Sequence, residues 1–324
     1  MSNAIWTAFE ANDVEAFEAS LKKCPNPNAL LVNCDNPIPC QAARSGRRAI
    51  LAAALRVDAW GVTAADRELR TPLHYAALAG DLEAVRILFE LKPERVRADM
   101  LIKQQDVGKM TVLHSAVLSG NEELVLLLLE VGQGAAVDMR CRSGYFPVHF
   151  ACSKGMSDAV EIMCQHEHAA DAIAHLGSAG DSLLHRATVE GHIKVIRVLL
   201  RFGVCNPNLQ DLHGCTALHL AYAMGLADII ELLLPVTDQD LLDGQGKRAL
   251  DWSLASDDEQ SGPTEAAADT ENTPQPPLVD VNIRVDEFGL TKLSIRPSNI
   301  LHVMLPTADK ESALSLNPAN AEYA

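Results

Sequence analysis

Aromatic residues are scarce in this chain, 4% of 324 residues, although 48% are apolar. A core poor in rings and rich in Ala and Leu suits an array of packed helices. Long apolar runs are missing too. The most apolar helix candidate, residues 123–129, falls far short of the roughly 18 residues that a membrane span needs. The first 18 residues carry Glu10, Asp13, Glu15 and Glu18 and no basic cluster, which reads against a secretory signal. Positive charge is in deficit: the formal net charge is -16, which argues against nucleic acid and anionic membranes as main partners. The 8 cysteines include no C-x-x-C pair, so a zinc site is not indicated, and they read as reduced thiols of a cytoplasmic or nuclear protein. H-E-x-x-H, G-x-S-x-G and G-x-x-x-x-G-K-[ST] are all absent. The expectation is a protein that is not an enzyme and needs no cofactor.

What is present is a recurring phrase. Thr216-Ala-Leu-His219-Leu-Ala221 is followed four residues later by Gly225. Thr71-Pro-Leu-His74-Tyr-Ala76 with Gly80, Thr111-Val-Leu-His114-Ser-Ala116 with Gly120, Phe146-Pro-Val-His149-Phe-Ala151 with Gly155, and Ser182-Leu-Leu-His185-Arg-Ala187 with Gly191 repeat it. The Thr or Ser can cap the free N–H groups of a new helix, Pro suits its first turn, and Gly can stop it. A second apolar helix follows within a few residues, as in 82–91 and 124–131. Each helix is too short to persist alone, so stability must come from stacking on neighbouring copies.

The final Ala of each copy marks the frame. Ala8 and a degenerate copy at Ala42 extend it backwards, giving Ala8, Ala42, Ala76, Ala116, Ala151, Ala187 and Ala221, spaced by 34, 34, 40, 35, 36 and 34 residues. In the second copy Cys40 replaces the His, and Pro37 and Pro39 predict a shortened first helix. The long step inserts a net-positive stretch, 92–110, expected as a loop and hence a place for function. An eighth copy, Arg248 to Ser253, keeps the frame without the His. Residues 256–277 hold six acids and no Lys or Arg and read as a disordered linker. Beyond it Val279, Val281, Ile283 and Val285 alternate with polar residues as in a strand, 286–289 can turn, and Leu293 and Ile295 can pair back. The same residues admit a broken ninth repeat, Asp286-x-x-Gly289-x-Thr291-x-Leu293. The hairpin is preferred, packed near the C-terminal end of the array. The division is therefore 1–255 array, 256–277 linker, 278–305 hairpin or degenerate repeat, and 306–324 tail.

The phrases resemble the ankyrin repeat, T-P-L-H-x-A at a period of about 33 residues. The resemblance implies an all-α solenoid of about seven to eight helix-turn-helix repeats with β-hairpin fingers. It implies that the shared histidines are structural, bonding near the finger and the next repeat. It places recognition on the finger tips and the ends of the inner helices, the concave face. Mapped onto this sequence, partner-binding positions are Arg67, Arg70 and Leu78 in repeat three, Lys109 and Leu118 in four, Arg142, Tyr145 and Lys154 in five, Val189 in six, and His213 and Met224 in seven. Leu69 stands where repeat three should have its finger Gly, and the fourth finger is expected to be shifted by the insertion. With Arg44, the basic members form a stripe in an acidic protein, fitted to an acidic or phosphorylated peptide. The acidic linker is a rival occupant of that groove.

Two temptations point elsewhere. Five framed histidines stacked about 10 Å apart are too distant to share a metal. Cys164-Gln-His166-Glu-His168 could ligate a transition metal, but in the frame it ends a second helix and reads as a solvated exit loop. The resulting expectation is a monomeric, intracellular protein-protein interaction module, cytoplasmic or nuclear: an adaptor, scaffold or inhibitor. The alternative is a regulatory subunit of an enzyme or ubiquitin-type degradation complex.

Overall fold

Each repeated phrase builds the same corner. In a computed structural model, which describes residues 2–23, 37–177, 179–254, 279–285 and 291–297, Thr71, Thr111, Ser182 and Thr216 each accept the N–H of the His three residues on, at 3.4 Å. In return each His Nδ1 accepts the backbone N–H of that capping residue at 3.1–3.2 Å. Orphan donors at the helix start are thus satisfied reciprocally. With Nδ1 accepting, the ring proton sits on Nε2, which donates into the next repeat: His74 to the carbonyl of Met110 at 3.3 Å, His114 to Tyr145 at 3.3 Å, His149 to His175 at 3.1 Å, His185 to Cys215 at 2.9 Å and His219 to Lys247 at 3.2 Å. One side chain caps its own helix and ties it to the following layer. Cys40 has the same duty in repeat two, its thiol reaching the Arg70 carbonyl at 3.5 Å.

Seven helix pairs follow from this corner. They are Ser2–Glu10 with Val14–Lys22, Ile38–Arg44 with Arg48–Val57, Pro72–Leu78 with Leu82–Glu90, Val112–Ser119 with Glu122–Val131, Pro147–Lys154 with Ser157–Gln165, Leu183–Val189 with Ile193–Phe202, and Ala217–Ala223 with Ala227–Leu233. A half repeat, Asp251–Leu254, ends the array. From repeat two onwards inner helices pack on inner helices, and outer helices pack on outer ones between repeats two and three and from repeat four to repeat seven. Their contact lines are Leu73, Leu113, Val148, Leu184 and Leu218, all at most 1% exposed, and the marker alanines from Ala42 to Ala221, all at 0%.

The fingers close as five-residue turns. Asp66, Asp106, Cys141, Gly177, Asp211 and Asp243 each donate their N–H to the carbonyl four residues on, at 2.8–3.1 Å. Successive tips are stitched: Val107 N–H to the Glu68 carbonyl at 2.9 Å, Arg142 to Gly108 at 2.8 Å, Leu212 to Ala179 at 3.0 Å and Gly244 to His213 at 2.8 Å. The fourth finger is in register rather than shifted, because Asp106 stands five residues before Thr111 as Asp66 does before Thr71. Lys109 and Leu69 therefore occupy the left-handed position held by glycine in later fingers, with φ of 57° and 59°. That conformation costs an L-residue about 1–2 kcal/mol. Both Leu69→Gly and Lys109→Gly should stabilise the protein by about 0.5–1 kcal/mol each, after the extra unfolded-state entropy of glycine is subtracted. Leu69 is 54% exposed, so no core packing is lost. Urea unfolding checks this; lower stability in both variants would refute it.

Two expectations are corrected. Pro37 and Pro39 do not shorten the helix of repeat two, which at 7 residues equals Pro72–Leu78. Pro39 lies in the first turn, where its missing N–H has no partner to lose. The 92–110 insertion is not an open loop. It folds a short helix, Ala98–Ile102, whose Leu101 and Ile102 are buried. A Cβ added at Gly132 would come within 2.6 Å of Ile102 Cδ1, so the insertion is packed into the following repeat.

Strand β1, Val279–Val285, pairs antiparallel with β2, Thr291–Pro297, with Val281 opposite Ile295 and Ile283 opposite Leu293. Thr291 starts a strand rather than a helix. The linker 256–277, the tail 306–324, Cys24, Cys34 and the finger residue Ser178 lie outside the described residues.

Candidate functional site

Between the inner helices of repeats three and four lies a cleft of about 360 Å³, lined by Arg70, His74, Tyr75, Leu78, Asp106, Met110, Ser115 and Leu118. Its position follows from the frame: Leu78 and Leu118 end their inner helices, where the stacked contact line gives way to solvent. Leu78 is 45% exposed and Leu118 half-buried. The polar end is cross-braced. Tyr75 donates its hydroxyl to Asp66 Oδ2 at 2.5 Å and lies beneath the Arg44 guanidinium, 5.9 Å from the ring centroid. Burial and the Asp66 bond raise the Tyr75 pKa, so it stays a donor. Arg70 contacts Glu68 at 2.9 Å and Asp106 at 3.5 Å. Much of its charge is answered within the protein, which weakens it as a member of the basic stripe.

Three of the sequence-mapped cations do align. Arg67, Lys109 and Arg142 are exposed and sit on fingers three, four and five, whose tips the two stitching bonds above hold in register. Lys154 is exposed at the end of the fifth inner helix, away from the fingers. The structure thus brings together Arg70, Leu78 and Leu118 around one cleft and Arg67, Lys109 and Arg142 along one finger edge. Val189, half-buried, and Met224, 42% exposed, end the inner helices of repeats six and seven. His213 lines a second cleft of about 310 Å³ with Leu212, Cys215, Asp243 and Trp252. Four layers separate repeat three from seven, roughly 40 Å at about 10 Å per packed layer.

Tyr145 is a correction. It is 2% exposed, its ring 6.2 Å from Phe150 and 4.3 Å from the Arg186 guanidinium. The residue after the finger Gly turns beneath the helix cap, as Met110 and Cys215 also do at 4% and 2% exposure. In the fourth finger Met110 fills that slot and Lys109 takes the Gly position.

Arg186 was missed. It is 6% exposed, and its Nε lies 2.7 Å from Asp181 Oδ2 in a contact without hydrogen-bond geometry. Nη1 also makes no hydrogen bond. The signal was present in the frame: the position after the His holds Tyr75, Ser115, Phe150 and Leu220 elsewhere, and a cation here alone.

Burial, the leading cause at each, pushes the thiols of Cys164, Cys205 and Cys215 up to about 12 and raises that of Cys152 well above its ordinary value. These are protonated core residues. His166 donates to the Gln133 carbonyl at 3.3 Å, bridging two repeats. Among the described residues no helix is long and apolar enough to cross a membrane.

A family model described as ankyrin repeats (3 copies) matches overlapping stretches, 40–137, 96–174, 113–211, 166–243 and 184–260. The chain is similar to the B-cell lymphoma 3 protein homolog of Mus musculus, 30% identical over 168 residues, 52% of this chain and 36% of that protein. It is 27% identical over 169 residues to the Nuclear factor NF-kappa-B p105 subunit of Gallus gallus, covering 52% of this chain and 17% of that one. It is 26% identical over 217 residues to the Probable 26S proteasome regulatory subunit p28 of Saccharomyces cerevisiae, 56% of this chain and 93% of the relative. The match thus spans a minor part of the first two relatives and nearly all of the third.

Proposed function

The chain belongs to the ankyrin-repeat family, and from that premise we propose that it is a non-catalytic protein-protein interaction module, an intracellular adaptor, scaffold or inhibitor of the cytoplasm or nucleus, working as a monomer through the inner-helix and finger face of repeats three to five. The ligand class is an extended acidic or phosphorylated peptide carrying one apolar side chain. The observation that carries the reading is the pairing of the Leu78–Leu118 cleft with the exposed Arg67, Lys109 and Arg142 on three stitched fingers. The apolar anchor would enter the cleft, and the fingers would take the negative flank. Such rim cations act mainly on association rate and salt dependence. Arg67→Glu with Arg142→Glu should weaken a library-selected acidic peptide at least tenfold, about 1.4 kcal/mol, and flatten its salt dependence. An unchanged Kd in the folded variant would refute the proposal.

The reading as a regulatory subunit rests on one observation, the near-complete coverage of the proteasome-subunit relative. Residues 1–255 would then dock and 278–324 would supply the second contact. Sedimentation of the chain with a purified degradation complex tests it: migration at the free monomer's position removes this second reading.

A further inference from the structure

Two residues after the marker alanine of repeats two, three and four stand Arg44, Leu78 and Leu118. In successive layers the row reads cation, leucine, leucine. Arg44 ends its inner helix, Ile38–Arg44, away from the fingers, and is exposed. Its guanidinium lies over the Tyr75 ring, 5.9 Å from the centroid, and among the described residues it makes no ion pair or hydrogen bond. Tyr75 is fixed in turn by its O–H bond to Asp66, and it lines the Leu78–Leu118 cleft. One fixed ring therefore joins an unanswered cation to the apolar cleft. The other cation of the cleft is already occupied. Arg70 contacts Glu68 and Asp106, and those two carboxylates repel an anion arriving at that end.

Spacing selects the conformation of the occupant. Adjacent inner helices lie about 8–10 Å apart. The Arg44 guanidinium leans over a ring of repeat three, so charge and cleft are separated by about one layer. In a β-extended peptide side chains return to the same face after two residues, about 6.6 Å, which falls short. In polyproline II they return after three residues, about 9.3 Å, which matches one layer.

Resting on the reading of this cleft given above, we propose that the segment it takes is a polyproline II stretch in which an anionic residue stands three positions from the apolar anchor. The anion pairs with Arg44, and the anchor enters between Leu78 and Leu118. Arg44 then determines specificity separately from the finger cations, because it reads the spacing of two side chains and not charge alone. Stacking and pairing do not compete: the flat face of a guanidinium lies on the ring while its N–H edge stays open to a carboxylate.

Fluorescence anisotropy of the full chain with synthetic proline-rich peptides tests this. Each peptide carries one Leu and one Glu, separated by one to five positions, in both orders. In one order, the pair three positions apart should bind about fivefold tighter than every other spacing, the upper end for an exposed ion pair. Changing that Glu to Gln should remove the gain, and so should Arg44→Glu. Arg44→Lys keeps the charge without the planar stack and should retain only part of it. Arg44 is exposed, so its replacement leaves the core packing intact. A flat dependence on spacing, or the same preference in Arg44→Glu, overturns the inference and leaves the cleft reading standing if the peptide's Leu is still required. Binding that is indifferent to that Leu, or absent throughout, overturns the cleft reading and this inference with it.

Discussion

Between pH 7 and pH 5 the array should lose about 4 kcal/mol of stability. His114 is 0% exposed and His149 likewise. Burial, the largest cause in both, lowers their pKa to about 4 and about 3, with the Arg186 charge adding to the effect at His149. In the unfolded chain both titrate near 6.5. As the pH falls below 6.5 the unfolded state takes up protons that the folded state refuses. The contribution is therefore complete above that pH and is lost on acidification, at about 1.4 kcal/mol per histidine per pH unit. At pH 5 the two together give about 4 kcal/mol. His74 and His185 are lowered for the same leading reason and act in the same direction. The corner acts in the same direction as burial: Nδ1 accepts from the capping residue, and a second ring proton would turn that acceptor into a donor facing a donor. Because repeats communicate mainly with their neighbours, loss should begin at repeats four and five. Amide exchange at pH 7, 6 and 5 reads this directly. Uniform protection across that range, with the urea midpoint unmoved, would sink the prediction.

The same histidines mark what was legible in the chain. Their spacing exposed the frame, and the frame assigned them to structure rather than chemistry. The finger positions were harder. Arg67 and Arg142 are exposed where the frame put them, but Tyr145 stands just past the finger Gly144 and is buried, because in a five-residue turn the step past the glycine leads from the tip to the buried side of the cap. The insertion was misjudged for a related reason. Its charges, Lys92, Arg97 and Lys103, are obvious in sequence, whereas the two residues that fix its place, Leu101 and Ile102, are a short apolar pair whose partner Gly132 lies thirty residues on. Pro39 shows the opposite case. A helix breaker in composition terms is harmless at the second helical position, and only the exact start of the helix decides that. Arg186 needed comparison across repeats, since a single charged residue in a helix gives no sign of its burial.

Arg186→Ala should cost about 3 kcal/mol, the largest single loss expected from any charged residue on the inner face. Removing one partner of a buried pair leaves the other uncompensated, at about 3–5 kcal/mol. Asp181 keeps 18% of its surface in water, which moves the figure to the low end. Loss of the guanidinium from the Tyr145 ring adds a further part, of order 1 kcal/mol at most. The pair is not thereby a net source of stability. Nε and Nη1 are buried without hydrogen bonds, so the folded state carries an unrecovered desolvation cost. Arg186→Met with Asp181→Ser removes that cost, keeps most of the volume against Tyr145 and leaves no orphan charge. It should therefore return to within about 1 kcal/mol of the parent protein, or exceed it. Urea unfolding of the two variants separates the cases. If the double variant is as unstable as Arg186→Ala, the ion pair itself holds repeats five and six together. If it recovers, the buried cation is held at a net cost to stability.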